Sequence, residues 1–255
     1  MLTPPATDFT LSRQLLLMLF IGRVRSLSAV CFLSLAVSAP FAAAQNSNEA
    51  ASRFVVVLDA AHGGDDAGAR LNSGQAEKAY TLALGVRLRS LLMARGMAVV
   101  TTRESDLTLD ADRRAEIANH ANAQGCLILH ASESGSGVHL FVSSLAPVEG
   151  ARFQPWKTAQ AAWVQRSLSL MGVMNSALSH AEVTVTLGRT ALPAIDSMAC
   201  PAVAVEVAPE RPSKAQPGAQ QADDLDDPGY QARVAEALAA AMVQWRQEAP
   251  GVRQE

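Results

Sequence analysis

The sequence predicts an α/β fold: a single domain whose open, twisted, mostly parallel sheet is flanked by helices on both faces. Three observations carry that expectation. Short apolar runs at 54–58, 126–129 and 201–205 are continuous, as in strands buried on both sides. Segments with apolar residues at helical spacing lie between them. Strand, helix and strand over residues 54–102 make a βαβ unit, which requires parallel strands.

Taken in order, the first strand is Phe54-Val-Val-Val-Leu58, stopping at Asp59, and His62-Gly-Gly-Asp65 follows closely. The paired glycines let the backbone turn sharply and approach a ligand. A loop covers 63–75. A helix is expected from Ala76 to Arg95, with Tyr80, Leu84, Leu88, Leu91 and Leu92 on its apolar face and Gly96 as its stop. Met97 to Thr102 is the second strand. A helix from Leu109 to Ala123 leads to the third strand, Cys126 to Leu129, which ends at His130. Gly135, Ser136 and Gly137 precede a fourth strand, 138–142. The loop 143–157 carries Phe153 and Trp156. A helix from Thr158 to Leu170 continues over 171–181 after a break near Gly172. Val183 to Leu187 alternates like a half-exposed strand, and Pro201 to Glu206 is a buried strand ending in a carboxylate. Residues 209–229, rich in Pro, Gln, Asp and Ala, read as a long surface loop. Tyr230 to Gln247 is a last amphipathic helix. The expected domain is 53–248, between a flexible lead-in at 45–52 and a tail at 249–255.

The first 44 residues read as a secretory signal peptide. Arg13, Arg23 and Arg25 precede a short apolar run, Leu27 to Val37, and small residues end at Ala44. The run is shorter than the roughly 20 residues of a membrane span, so no stable span is expected after cleavage. The implied location is outside the cytoplasm, in the periplasm or cell envelope. The segment carries three arginines and one aspartate, so its removal takes the net charge from −3 to −5. A mildly acidic body without basic clusters offers no footprint for nucleic acid. Cys126 and Cys200 remain. Export permits a disulfide between them, and two buried thiols fit the sequence equally well.

Parallel strands bring their carboxyl ends to one edge of a sheet, where ligands and chemistry collect. His62, His130 and Glu206 therefore converge there, with Glu77 at the start of the first long helix on the same side. Two histidines and a carboxylate form a catalytic zinc set with one position left for water, and a second carboxylate is then free to act as base.

At this point the residues resemble a known family. Asp59-Ala-Ala-His62-Gly-Gly-Asp-Asp-Ala-Gly68-Ala, then Glu77-Lys78, is similar to the first zinc motif of the zinc-dependent N-acetylmuramoyl-L-alanine amidases. Thr102-Arg103-Glu-Ser-Asp106, Leu109-Asp-Ala-Asp-Arg113, Ala118-Asn119, Leu129-His130-Ala131, Pro201-Ala-Val-Ala-Val-Glu206 and Tyr230-Gln-Ala-Arg-Val-Ala235 resemble its later blocks, in family order over about 53–248. The resemblance implies one zinc ion per chain held by His62, Glu77 and His130. It implies Glu206 as general base and then acid. The reaction would be hydrolysis of the amide between N-acetylmuramic acid and the L-alanine of the peptidoglycan stem peptide. A monomer is expected, with a protein activator as a candidate partner.

The chain departs from the family pattern around the site. Ala60 and Ala61 replace Pro-Gly, Ile128 and Ser132 flank the second histidine differently, and Ala208-Pro209 replaces a Gly-Phe pair. These changes motivate an alternative, a catalytically weak or inactive peptidoglycan-binding protein of the same fold, against which the intact His62, Glu77, His130 and Glu206 argue; a zinc peptidase on another amide is a further alternative. Asp65 and Asp66 read as loop solvation. Arg103 and Arg113 read as structural ion-pair partners. His120, His139 and His180 read as ordinary, and Glu206 has no evident cationic partner nearby in the sequence.

Overall fold

The computed structural model describes residues 54–148, 155–211 and 223–248. The predicted signal peptide, the lead-in, the tail, Phe153 and most of the 209–229 loop lie outside the described residues. Among the described residues six strands form one sheet: β1 (Val55–Ala60), β2 (Ala98–Thr101), β3 (Gly125–Ala131), β4 (Val138–Ser143), β5 (Val185–Thr190) and β6 (Ala202–Val207). Their order is β2-β1-β3-β6-β4-β5. β2, β1, β3 and β6 are parallel neighbours, as the βαβ pattern requires. β4 runs antiparallel to β6, and β5 follows β4 in parallel. The sheet is mostly parallel, with a reversed pair of strands at one side.

Alternate residues of each buried strand serve two cores. Val56, Leu58, Leu127, Leu129, Val203 and Val205 face three long helices, α1 (Glu77–Ala94), α3 (Val164–His180) and α5 (Pro228–Glu248). Val57, Cys126, Ile128, Ala202 and Ala204 face the smaller α2 (Ala111–His120) and α4 (Pro193–Asp196). The apolar faces read from the sequence are the ones buried: Tyr80, Leu84, Leu88 and Leu92 on α1, and Tyr230, Val234, Leu238, Met242 and Trp245 on α5.

Several expectations are corrected. α3 runs unbroken through Gly172, which is solvent-exposed and costs only the local propensity of glycine, about 1 kcal/mol, against a face buried by Leu170, Val173, Met174 and Leu178. A 3₁₀ segment, Trp156–Ala162, precedes it. α2 is shorter than expected because Asp110 caps it, accepting from the Arg113 backbone N–H at 2.7 Å. β5 begins at Val185 and extends past Leu187 to Thr190. α4, one turn between β5 and β6, has no periodicity long enough to announce it. Cys126 and Cys200 form a disulfide, with Cα atoms 6.3 Å apart, tying the start of β3 to the residue two before β6.

Candidate functional site

β1 delivers His62 to the carboxyl edge, where it opens a turn of three residues at positive φ. His62 has φ 62°, and Gly63 and Gly64 also lie at positive φ. Ala60 and Ala61 do not, so the missing glycine before the histidine carries no backbone penalty. Two buried arginines hold this turn by its carbonyls. Arg103 donates to Ala60 O at 2.8 Å and Ala61 O at 3.0 Å. Arg114 donates to Ala60 O at 2.8 Å and His62 O at 2.7 Å, and to Asp59 Oδ1 at 2.6 Å. Arg103 is thus structural, through carbonyls rather than through the expected ion pair. Arg113 is an ion-pair partner, as expected, in an exposed pair with Glu116, while its neighbour Arg114 is buried against Asp59.

Glu77 is the first residue of α1, yet its carboxylate does not cap the helix, whose N-cap is Ala76. It points at both histidines. Oε1 lies 2.9 Å from His130 Nδ1 and accepts from the Ala131 backbone at 3.1 Å. Oε2 lies 3.1 Å from His62 Nε2 and accepts from the Ala69 backbone at 2.9 Å. Burial alone would raise the Glu77 pKa. Hydrogen bonds from His130, His62 and the Ala69 and Ala131 amides outweigh it and hold Glu77 far below the ordinary carboxylate range. His62 is raised by its hydrogen bond to Glu77, against desolvation, with Asp66 adding to the rise.

One donor atom from each of His62, Glu77 and His130 lies within 4.8 Å of the others, so the three could hold one metal ion. The donor set, two imidazoles and a carboxylate, suits catalytic zinc. The other nitrogen of His62, Nδ1, lies 2.8 Å from Asp66 Oδ2. A carboxylate on the far nitrogen of a ligating histidine fixes its tautomer and orientation. Asp66 therefore belongs to the site rather than to loop solvation, and only its position four residues after His62 hinted at this.

Glu206 is the register partner of His130 on the adjacent parallel strand, and both side chains leave the α2/α4 face of the sheet. Neighbouring strands are about 4.8 Å apart, so Glu206 leaves the sheet next to His130. Glu206 does have an imidazole partner, supplied by β4: His139 Nδ1 lies 2.9 Å from its Oε1. Among the described residues, the rings of His120 and His180 hydrogen-bond to backbone carbonyls of their own helices. A cleft of about 450 Å³ is lined by His62, Asp66, Ile128, His130 and Leu192 to Ile195; it borders the two histidines of the cluster, and Glu206 is not part of its wall.

A mixed α/β sheet with a three-donor cluster on its carboxyl edge defines the class, an α/β domain with a candidate single-metal site. Residues 56–244 match the family model Amidase_3, described as N-acetylmuramoyl-L-alanine amidase, and the chain belongs to that family. The chain is 35% identical over 85 residues to the N-acetylmuramoyl-L-alanine amidase AmiA of Escherichia coli, a match covering 33% of this chain and 29% of that protein. It is 31% identical over 144 residues to the endolysin of Bacillus phage SPP1, covering 55% and 52%. The chain thus spans about half or less of these curated relatives. The fold is shared with the catalytic domain of CwlV from Bacillus (Paenibacillus) polymyxa var. colistinus, with TM-score 0.57 and 24% identity over 76% of this chain and 98% of that one. It is shared also with Ami1 of Mycobacterium smegmatis, with TM-score 0.60 and 18% identity over 78% and 100%.

Proposed function

We propose that this chain hydrolyses the amide between N-acetylmuramic acid and the L-alanine of the stem peptide in peptidoglycan. His62, Glu77 and His130 would hold one zinc ion, and Glu206 would act as general base and then general acid. The observation that carries this reading is the convergence of three donors with a fourth ionisable group, Glu206, in register with one of them, in a chain of the amidase family. Zinc, when bound, supplies a Lewis acid that polarises the amide carbonyl and lowers the pKa of water.

The chain's own residues supply the rest. Glu206 removes a proton from the attacking water and returns it to the nitrogen of L-alanine as the C–N bond breaks. Asp66 keeps His62 in the tautomer that turns Nε2 toward the other donors. Arg103 and Arg114 keep the turn bearing His62 from relaxing. The substrate lies outside the cytoplasm, which agrees with the expected signal at 1–44. Among the described residues no helix is long and apolar enough to cross a membrane. We take the protein to work as an exported monomer. A protein activator is part of the proposal, since the CwlD amidase of Clostridioides difficile, a fold relative, was solved in complex with the GerS lipoprotein.

The test is mass spectrometry of purified peptidoglycan incubated with the zinc-loaded protein, beside Glu206→Gln. Free stem peptides beginning at L-alanine, released only by the unmutated protein, are the expected result. Release by both would overturn the assignment of Glu206. No release by either, from folded and zinc-loaded protein, would favour a binding protein of the same fold.

A further inference from the structure

His139 has no part in the scheme above. It arrives on β4, the strand that runs against β6, and its register partner is Glu206. The two side chains leave one face of the sheet from directly opposed positions, which brings Nδ1 to 2.9 Å from Oε1. The imidazole is held from other directions as well. A Cβ on Gly135 would fall 2.1 Å from His139 Cε1 and 2.3 Å from Nε2, so the backbone of that turn lies against the outer edge of the ring. Gly135 has φ +86°, a conformation that glycine holds without strain. Phe141, two residues along the same face, meets the ring edge-on with centroids 6.4 Å apart. The His139 side chain is 13% exposed and that of Glu206 32%, so the imidazole is the fixed partner and the carboxylate the accessible one.

We propose that His139 is the positioning residue of Glu206; the proposal rests on the reading of Glu206 as the base. An ionised carboxylate only accepts hydrogen bonds, so His139 donates its Nδ1–H to Oε1. That bond fixes the rotation of the carboxylate and leaves Oε2 for chemistry. The proton passes from water to Oε2 as the C–O bond forms, then from Oε2 to the departing nitrogen as the C–N bond breaks. Oε1 accepts from His139 throughout, so the carboxylate need not reorient between the two transfers. A histidine serving only to fill space would not need its donor nitrogen.

The experiment measures kcat and KM for peptidoglycan-fragment hydrolysis, zinc content and thermal midpoint for His139→Leu, His139→Asn, Glu206→Gln and the double variant Glu206→Gln/His139→Leu. His139→Leu is expected to keep zinc and KM while losing about tenfold to a hundredfold in kcat, part of the about 10²–10⁴-fold a positioned base contributes. His139→Asn, whose amide N–H₂ replaces the donor, is expected to recover much of that loss. The double variant should be no slower than Glu206→Gln alone. Unchanged kcat in His139→Leu, with Glu206→Gln inactive, would reject His139 and leave Glu206 as the base. Equal losses in the Leu and Asn variants, with lowered thermal midpoints, would assign His139 to packing. Full activity in Glu206→Gln would overturn the reading on which the proposal stands.

Discussion

His62 occupies a left-handed backbone conformation that a side chain other than glycine adopts at a cost of about 1–2 kcal/mol. Strain of this kind persists where surrounding bonds over-determine it, and the arginine clamps on Ala60, Ala61 and His62 do so. Gly68 is the tightest point of the cluster. A Cβ there would lie 2.6 Å from His62 Cδ2 and 2.7 Å from Glu77 Oε2, and its φ is +65°. Gly68→Ala should therefore fold and yet lose stoichiometric zinc, as read by metal analysis beside circular dichroism; one zinc per chain would refute this. At this scale the sequence shows the candidate ligands and hides their supports. His62, His130 and Glu206 stand out because each follows an apolar run. His139 does not, because its meaning lies in which residue of another strand it faces, and register is a tertiary fact.

The contact between β1 and α2 shows how a helix face is misread. Arg114 sits at a buried position of α2, and a charge there looks like solvent face when apolar residues alone are counted. Its partner is Asp59, 1% exposed, which also accepts from Thr102 Oγ1 at 2.5 Å. Removing one member of a buried pair strands the other charge. Arg114→Leu is expected to cost about 3–5 kcal/mol in urea unfolding. Arg113→Leu, breaking an exposed pair with Glu116, should cost less than about 1 kcal/mol. Equal effects would contradict the assignment. The six strands and the long helices were legible because hydrophobic period and glycine stops are local signals. α4 was not, since one turn carries no period.

Across the whole molecule, the mixed sheet follows from connection length. Residues 132–137 between β3 and β4 are too few for a parallel crossover, which needs a dozen or more. β4 therefore reverses; it pairs with β6, which lies between it and β3. The pairing of Cys126 with Cys200 was equally beyond the sequence, which allowed two thiols as readily. The bridge spans 74 residues and joins the starts of adjacent strands. A closed loop of that size corresponds to about 4 kcal/mol on the chain-entropy model. Cys126→Ser/Cys200→Ser should lower the thermal midpoint, and dithiothreitol should lower that of the unmutated protein but not that of the double variant. A midpoint indifferent to both changes would show the bridge to be energetically idle.

The position of β6 has a consequence for how the molecule comes into being. It is the last strand among the described residues and lies inside the sheet, between β3 and β4. A growing or emerging chain that ends before residue 202 leaves β3 and β4 each with an unsatisfied edge where β6 belongs, open to wrong pairing. Every N-terminal fragment of that kind also lacks Glu206. Pairings so distant in sequence are slow to form, because loop closure precedes any reward. The six residues of β6 thus complete the edges of both neighbouring strands and, on the proposed reading of Glu206, carry the base as well.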